Sequence, residues 1–343
     1  MRILHLLASP FWSGPAENVA LLAQAQRALG HEVTVAVDRK RRDVLSEEPA
    51  VPRFQSLGLL DEGGLTLSVK SSPWEMWNDL RALRGRQVDV LHAHFTHDHL
   101  LTRWGTPKGA VRIRSIHAPR SLRASLPDAG AYTVPASHLR AKLEGRHRPV
   151  QVLPALVDSM FEPPKDREAL RRALGLEDTH LVGMISTFQE SRRHAVGVEA
   201  FAALVRQRPE ARLVLVGDGA LLEATRAQVS AHGLKDQVTF AGYQQGPAFA
   251  KWLQALDEVW ILGLGNDWSA RAAAQARACG VRVVAVKEGA LPELADARVD
   301  APTVDAVLTA VLSGAQATTE HPTNHRIASD ILALYGQAAE ARR

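Results

Sequence analysis

Residues 265–293 read GNDWSARAAAQARACGVRVVAVKEGALPE. After the polar start, small and apolar residues recur at helical spacing as far as Gly280, and the β-branched run 281–286 predicts a buried strand. The free N–H groups and the dipole at the start of such a helix favour an anion such as a diphosphate. Asp267 and Gln275, eight positions apart, bracket that start. The stretch predicts an αβ unit with polar loops at both ends.

The same alternation of strand and helix patterns runs along the whole chain. The predicted strands are 3–8, 32–37, 88–92, 111–116, 131–134, 150–153, 181–185, 212–216, 237–240, 258–262 and 281–286. The predicted helices include 16–29, 73–83, 137–143, 167–174, 194–206, 220–232, 246–256, 270–278 and 304–312. Such alternation predicts parallel sheets with helices on both faces, which bind ligands beyond the carboxyl ends of the strands.

The pattern restarts after Pro154, and prolines punctuate the chain as far as Lys165. We therefore predict an N-terminal domain at 1–158, a C-terminal domain at 159–325 and a terminal helix at 326–343 that packs back on the N-terminal domain. Two such domains in one chain predict two doubly wound sheets facing a central cleft.

The composition is typical of a soluble globular protein, with 46% hydrophobic and 23% charged residues. The single cysteine, Cys279, favours a reducing cytoplasm. Apolar residues 3–8 are broken by His5, so we interpret them as a first strand rather than a signal peptide.

The net charge is +4, and the basic excess lies in residues 1–150. The densest basic run is Arg39–Arg42, which is either a solvated loop or a contact with an anionic membrane or acidic acceptor. No nucleic-acid-binding motif accompanies it.

The 265–293 stretch resembles the donor-sugar site of the retaining family-four glycosyltransferases, in which two glutamates stand eight apart before a G-G-x-P-E loop. This chain is similar to a branch with a G-x-D-x-x-x-R variant, matched by Gly265, Asp267 and Arg271. The resemblance implies that Asp267 accepts hydrogen bonds from sugar hydroxyls, that the helix start at Ser269 stabilises the diphosphate, and that Glu293 closes the site. Arg271 is a candidate contact for a phosphate or carboxylate, and a surface position on the helix fits it equally well. Gln275 replaces the acid that binds the nucleotide ribose and lacks its charge.

Motifs in the first half resemble the same family. Ser13–Glu17 is similar to its G-G-x-E loop and places Gly14 near the acceptor and donor phosphates, although an ordinary turn fits equally well. Residues 113–117 resemble the strand whose terminal histidine, here His117, lines the cleft beside the reacting sugar. His94 is a weaker candidate. We interpret the histidine-rich stretch 92–99 as a loop, and its histidines do not form a clear metal-ligand set.

In the second half, residues 183–194 resemble the G-R-L-x-x-x-K motif that holds the donor diphosphate. Thr187 replaces its arginine, and Arg192 and Arg193 supply the cation, which would stabilise the leaving group. Residues 214–219 match an L-V-G-D-G turn that contains Gly217, and 240–243 match an F-x-G-Y strand end whose Tyr243 would support the base.

The resemblance implies a GT-B fold and transfer of a sugar, with retention, from a nucleotide-diphospho-sugar to a glycan or lipid-linked acceptor in cell-envelope polysaccharide assembly. We expect no cofactor, no metal and no nucleic-acid partner. The expected location is cytoplasmic, with peripheral contact at the inner face of the membrane. Thr187 and Gln275 leave open a degenerate protein that binds a ligand or partner without catalysis, and an epimerase of the same fold is a third alternative.

Overall fold

The computed structural model describes residues 1–40, 48–122, 127–176, 179–264, 270–318 and 321–342. The chain forms two compact units. Unit 1 comprises Met1–Leu156 and Pro322–Arg343, and unit 2 comprises Val157–His321.

Unit 1 contains a six-stranded parallel sheet. Its strands are β1 (Arg2–Leu7), β2 (Glu32–Val37), β3 (Val90–Ala93), β4 (Val111–Ser115), β5 (Ala131–Val134) and β6 (Val150–Val152), in the order β2-β1-β3-β4-β5-β6. Its helices are α1 (Gly14–Ala28), α2 (Ala50–Ser56), α3 (Pro73–Arg84), α4 (Thr96–Gly105) and, from the C-terminal segment, α12 (Asn324–Glu340).

The two faces of this sheet have separate cores because strand side chains alternate between faces. Ile3 and Leu7 of β1 pack with α1 and α12 on one face, while Leu4 and Leu6 pack on the other with residues of α3 and α4. His5 therefore shares the face that α1 and α12 cover.

Unit 2 repeats the architecture with its own six-stranded parallel sheet. Its strands are β7 (Leu181–Ile185), β8 (Arg212–Val216), β9 (Val238–Gly242), β10 (Glu258–Ile261), β11 (Arg282–Val286) and β12 (Ala297–Val299), in the order β12-β11-β10-β7-β8-β9. Its helices are α5 (Arg167–Ala173), α6 (His194–Val205), α7 (Leu222–Ala231), α8 (Gly246–Gln254), α9 (Arg271–Ala278), α10 (Leu291–Leu294) and α11 (Val304–Leu312). The predicted doubly wound α/β architecture is confirmed.

Two local predictions were wrong. Residues 137–143 form two short 3₁₀ segments, Ser137–Leu139 and Ala141–Arg146, instead of one α-helix. The histidine-rich stretch that we interpreted as a loop contains α4, whose first turn is polar because Asp98 accepts hydrogen bonds from backbone N–H groups there. None of the described helices is long and apolar enough to cross a membrane.

Candidate functional site

The carboxyl ends of the unit 2 strands meet at one edge of its sheet, and most of the predicted donor-binding residues follow those strands. Thr187 follows β7, Gly217 follows β8 and Tyr243 follows β9. Thr187 is exposed, and Tyr243 is 68% exposed. An exposed aromatic ring at a strand end offers a flat apolar surface on which a nucleotide base can stack.

Arg192 lies at the same edge, against the segment that follows β10. Its Nη1 lies 3.3 Å from the point that a side chain on Gly263 would occupy, and the backbone N–H of Leu264 donates to the Ser191 carbonyl at 2.9 Å. The Nε of Arg192 is buried and has no hydrogen-bond partner among the described residues. A buried, unpartnered guanidinium N–H is costly unless it binds an acceptor, so this atom is a candidate anion contact.

Arg193 has a left-handed backbone, with φ +60° and ψ +34°, and stands immediately before α6. Such a conformation is uncommon for a residue with a side chain and occurs often at functional sites. The next residue, His194, is buried and stacks on Phe188 with ring centroids 4.2 Å apart. Burial, followed by the nearby Arg192 charge, lowers the pKa of His194 to about 4.

Gly217 has a structural reason to be glycine. It has φ +145°, and a Cβ there would lie 2.1 Å from the Ser186 carbonyl oxygen. In the same turn, the Asp218 carbonyl accepts a hydrogen bond from the Phe188 N–H at 2.9 Å. The glycine therefore permits close packing of the loops after β7 and β8, and contact with a ligand stays a prediction.

The N-terminal end of α9 holds the remaining donor residues. Asp267 and Ser269 lie outside the described residues. Ala270 caps the helix in a left-handed conformation with φ +51°. Arg271 is exposed in the first turn, whereas Gln275, one turn later, is only 6% exposed.

Glu293 lies in the short helix α10, which follows β11, and its residue is exposed. It also takes part in an interaction within the protein. Its proposed role in closing the donor site stays a prediction.

In unit 1, His117 follows β4 and is partly exposed. Its ring stacks on His94, with centroids 5.6 Å apart, and its Nε2 is buried with no hydrogen-bond partner in the described part of the chain. Burial, then the charge of Arg114, lowers the pKa of His117 to about 3, so the ring is neutral at pH 7. Gly14 begins α1 after β1, and Pro15 occupies the first turn, where no N–H is needed.

Behind His117, a fully buried hydrogen-bond network connects four strands with two helices. His94 contacts His5 at 2.9 Å, His5 contacts Gln26 Oε1 at 2.9 Å, and Gln26 Nε2 contacts the Tyr335 hydroxyl at 3.2 Å. The same hydroxyl lies 2.6 Å from His92 Nδ1. The network continues from His92 Nε2 to Ser115 at 2.7 Å and from Ser115 to Thr133 at 2.7 Å.

These contacts fit one direction of donation. Because Gln26 Oε1 can only accept, His5 Nε2 carries a proton, so neutral His5 accepts at Nδ1 from His94 Nε2–H. Gln26 Nε2 donates to the Tyr335 hydroxyl, which donates in turn to His92 Nδ1. His94 is left with an unprotonated Nδ1, and this atom is buried with no hydrogen-bond partner from any described residue. The network thus fixes the tautomer of the ring that stacks on His117.

Neutral imidazoles are what the burial of this cluster requires. Burial, and then the neighbouring histidines, lower the pKa values of His92 and His94 well below the usual range. Burial likewise lowers the pKa of His5 to about 4, although the hydrogen bond to Gln26 opposes the shift.

One nitrogen from each of His5, His92 and His94 lies within 4.8 Å of the others, a spacing that could hold a metal ion. The facing nitrogens of His5 and His94 are only 2.9 Å apart, however, and share a proton. Both nitrogens of His92 also have hydrogen-bond partners. A metal would have to replace these hydrogen bonds, so the geometry favours a neutral network over a metal centre.

A buried ion pair supports the loop after β3. The Asp98 carboxylate accepts from the backbone N–H groups of Ala8 and Phe95, and Arg114 Nη1 lies 3.8 Å from it. Burial raises the pKa of Asp98 to about 6 despite these opposing contacts, and burial lowers the pKa of Arg114 to about 10. The pair places positive charge behind His117, which helps to keep that ring neutral.

Family comparisons agree with this architecture in both units. Residues 166–308 match the family described as glycosyl transferases group 1, and residues 12–159 match glycosyltransferase family 4. The chain belongs to the group 1 and family 4 glycosyltransferases. Its fold is GT-B, as the sequence predicted.

Individual relatives of this glycosyltransferase include a D-inositol 3-phosphate glycosyltransferase from Segniliparus rotundus, 30% identical over 46% of this chain and 36% of the relative. A GDP-mannose-dependent alpha-(1-6)-phosphatidylinositol monomannoside mannosyltransferase from Mycolicibacterium smegmatis is 29% identical over 57% of this chain and 55% of the relative. The match thus spans between about a third and about half of these relatives' length.

Among solved structures, the Anabaena protein HepE in complex with UDP has a TM-score of 0.73 and 17% identity, over 100% of this chain and 99% of that one. The catalytic domain of starch synthase IV from Arabidopsis thaliana, bound to ADP and acarbose, has a TM-score of 0.68 and 13% identity, over 99% of both chains. At these identities the similarity establishes the fold of the glycosyltransferase.

Sequence reasoning missed Gln26 and Tyr335, which lie on the buried faces of α1 and α12. It noted His5 only as a break in an apolar run. The available signal was a polar residue within a buried strand, since such a residue needs a buried partner. The partner's identity depends on the register that pairs His5 with His92.

Proposed function

We propose that the chain transfers a sugar, with retention of configuration, from a nucleotide-diphospho-sugar to a glycan or lipid-linked acceptor in cell-envelope polysaccharide assembly. The names of its relatives support a donor of this class, since one is GDP-mannose-dependent and HepE was solved with UDP and UDP-glucose. The observation that carries the proposal is the Nε of Arg192 at the carboxyl edge of the unit 2 sheet, which is buried and has no partner among the residues that the structure describes.

In this proposal Arg192 binds the donor diphosphate and stabilises the charge that develops on it as the glycosidic bond breaks. Arg193, Arg271 and Ser269 add donors, and Gly217 and Thr187 approach the ligand from the neighbouring loops. Tyr243 stacks on the base, and Gln275 contacts the ribose through a neutral amide.

The sugar itself is oriented by the remaining residues. Asp267 accepts hydrogen bonds from its hydroxyls, and Glu293 closes the site. Neutral His117 donates to a sugar hydroxyl, and Gly14 lets the loop after β1 approach the phosphates. Arg39–Arg42 is proposed as a secondary contact with an anionic membrane. Of this run, Arg39 bonds to the Asp61 carbonyl and Lys40 pairs with Glu75, while Arg41 and Arg42 lie outside the described residues.

The test is a panel of UDP-, GDP-, ADP- and TDP-sugars scored by thermal stabilisation and then by transfer. A ligand at 100 times its dissociation constant stabilises the native state by about 2.7 kcal/mol. Arg192→Ala removes charge-assisted hydrogen bonds worth roughly 1.5–3 kcal/mol, so it should weaken donor binding by about ten- to a hundredfold.

Arg206→Ala, an exposed arginine just after α6, is the matched control and should bind the donor normally. The anomeric configuration of the product, read by NMR, tests retention. Failure of every nucleotide sugar to stabilise the protein would overturn the proposal. Binding without turnover would favour the degenerate alternative, which Thr187 and Gln275 support.

A further inference from the structure

Three of the seven tryptophans in the chain are exposed on two adjacent helices of unit 1. Trp74 and Trp77 of α3 are 68% and 47% exposed, and Trp104 of α4 is 54% exposed. Tryptophan is highly buried on average, so three exposed rings in one region are unusual. Together with Arg81, Arg84 and Arg103 they form what we call the Trp–Arg face.

Helical spacing places the α3 residues of this face on one side of the helix. Trp74, Trp77, Arg81 and Arg84 follow at intervals of three and four, which align along one face of a helix, while Asp79 and Leu83 are buried. The ends of the two helices are joined, because Arg84 Nε donates to the Trp104 carbonyl at 2.7 Å.

The exposed charge on the Trp–Arg face has one sign. Arg81, Arg84 and Arg103 are exposed, and no carboxylate among the described residues lies within ion-pair distance of them. The acids of both helices are engaged internally. Glu75 caps α3 and pairs with Lys40 at 2.7 Å, and Asp79 accepts from the N–H groups of Thr66 and Leu67. The third acid, Asp98, is buried beside Arg114.

Aromatic rings and guanidinium groups are also in contact on this face. Arg81 lies over the Trp77 ring at 5.7 Å and Arg103 over the Trp104 ring at 5.2 Å, while Trp74 and Trp77 stack at 5.0 Å. Each pair presents an apolar ring together with a charge that can reach a phosphate. Tryptophan and arginine in this combination suit the boundary between lipid headgroups and acyl chains.

We propose that the Trp–Arg face binds an anionic lipid membrane, with the indole rings at the headgroup boundary and the arginines on lipid phosphates. A protein partner could also contact the aromatic rings, but the only partly exposed acid on these two described helices, Glu75, is already paired with Lys40, which favours a uniformly anionic surface. The proposal goes beyond the donor chemistry. Its residues lie on α3 and α4 and are distinct from the Arg39–Arg42 run, although Lys40 of that run pairs with Glu75 of α3.

The test is sedimentation of the full chain with phosphatidylcholine vesicles that contain none or roughly 30% phosphatidylglycerol, at low and high salt. The native chain should sediment only with the anionic vesicles. Each basic residue contributes about 1 kcal/mol, so Arg81→Ser, Arg84→Ser and Arg103→Ser combined should weaken binding by about a hundredfold at low salt. Trp74→Ala, Trp77→Ala and Trp104→Ala combined should reduce binding at both salt concentrations.

The matched control removes the same charge from exposed positions of unit 2, by Arg206→Ser, Lys235→Ser and Lys251→Ser, and should bind vesicles as the native chain does. Circular dichroism confirms that each variant is folded, and transfer to a soluble acceptor should be unchanged in all of them. The proposal would be overturned if the native chain did not bind anionic vesicles. It would also be overturned if the triple arginine variant and the triple tryptophan variant both bound these vesicles as well as the native chain does. A change of oligomeric state in these variants without lipid would overturn it too, since that change would indicate a protein interface.

Discussion

At the scale of the residue, the buried network behind His117 shows how distant polar side chains satisfy one another. Tyr335 is central to it, since its hydroxyl accepts from Gln26 and donates to His92. All three residues are fully or almost fully buried. Each lost partner would therefore leave a polar atom without water or protein to bond.

Tyr335→Phe should destabilise unit 1 because it leaves both Gln26 and His92 short of a partner. Leaving buried groups unsatisfied costs about 1–3 kcal/mol, which urea unfolding measures. Tyr243→Phe, in which the hydroxyl is on a 68% exposed side chain, is the control and should change stability by less than about 0.5 kcal/mol.

In ¹⁵N spectra of the native protein, His94 should be protonated at Nε2 alone. Protonation at Nδ1 would contradict the direction assigned to the network.

The sequence predicted single site residues where a strand end or a motif marks them, as with His117 and Arg192. It could not predict the network, because His5, Gln26 and Tyr335 are far apart in the chain and meet only once α1 and α12 pack on the same face of the sheet. The unpartnered Nε of Arg192 was equally beyond reach, since it depends on the position of Gly263.

At the scale of the element, the loops after β7 and β8 fit together only because glycines lie between them. Gly217 approaches the Ser186 carbonyl and Gly219 approaches the Phe188 backbone. The sequence indicated a glycine turn here, but glycine is expected both where backbone approaches a ligand and where it approaches other backbone. The structure identifies backbone as the neighbour of both glycines, which favours loop packing.

Gly217→Ala should therefore lower the free energy of unfolding by more than the positive φ at this position would alone. Gly233→Ala is the matched control, because Gly233 also has a positive φ, +70°, but has nothing within 4 Å of a new Cβ. The control should cost about 1–2 kcal/mol from backbone strain. Gly217→Ala adds a clash with a carbonyl oxygen, which should bring the cost to at least about 3 kcal/mol. Equal chemical-denaturation midpoints for the two variants would show that the loops can separate without cost.

At the scale of the whole molecule, the two units share a six-stranded parallel architecture but differ in strand order and in their buried histidines. Alternating patterns were enough to predict two parallel sheets, because strand and helix periodicities are local. The difference between the units depends on burial, which is not local. Burial lowers the pKa values of five histidines in unit 1 either to about 3–4 or well below the usual range; these are His5, His92, His94, His99 and His117. In unit 2, burial lowers the pKa of one histidine, His194, to about 4.

This asymmetry predicts that mild acid unfolds unit 1 first. A histidine whose folded pKa is lowered binds its proton more readily in the unfolded chain, so stability is retained above the unfolded pKa of about 6.5 and is lost as the pH falls towards 4. Each such group reduces the free energy of unfolding by up to about 1.4 kcal/mol per pH unit in that window. Five in one unit would remove several kcal/mol by about pH 5.5, a large part of a domain's total of roughly 5–15 kcal/mol.

Hydrogen exchange at pH 7.5 and 5.5, read by mass spectrometry, should show protection lost in β1, β3 and β4 while β7 and β8 stay protected. His5→Gln removes one titrating group and should reduce the pH dependence of unit 1 stability. Equal loss of protection in both units would mean that these histidines do not control acid stability.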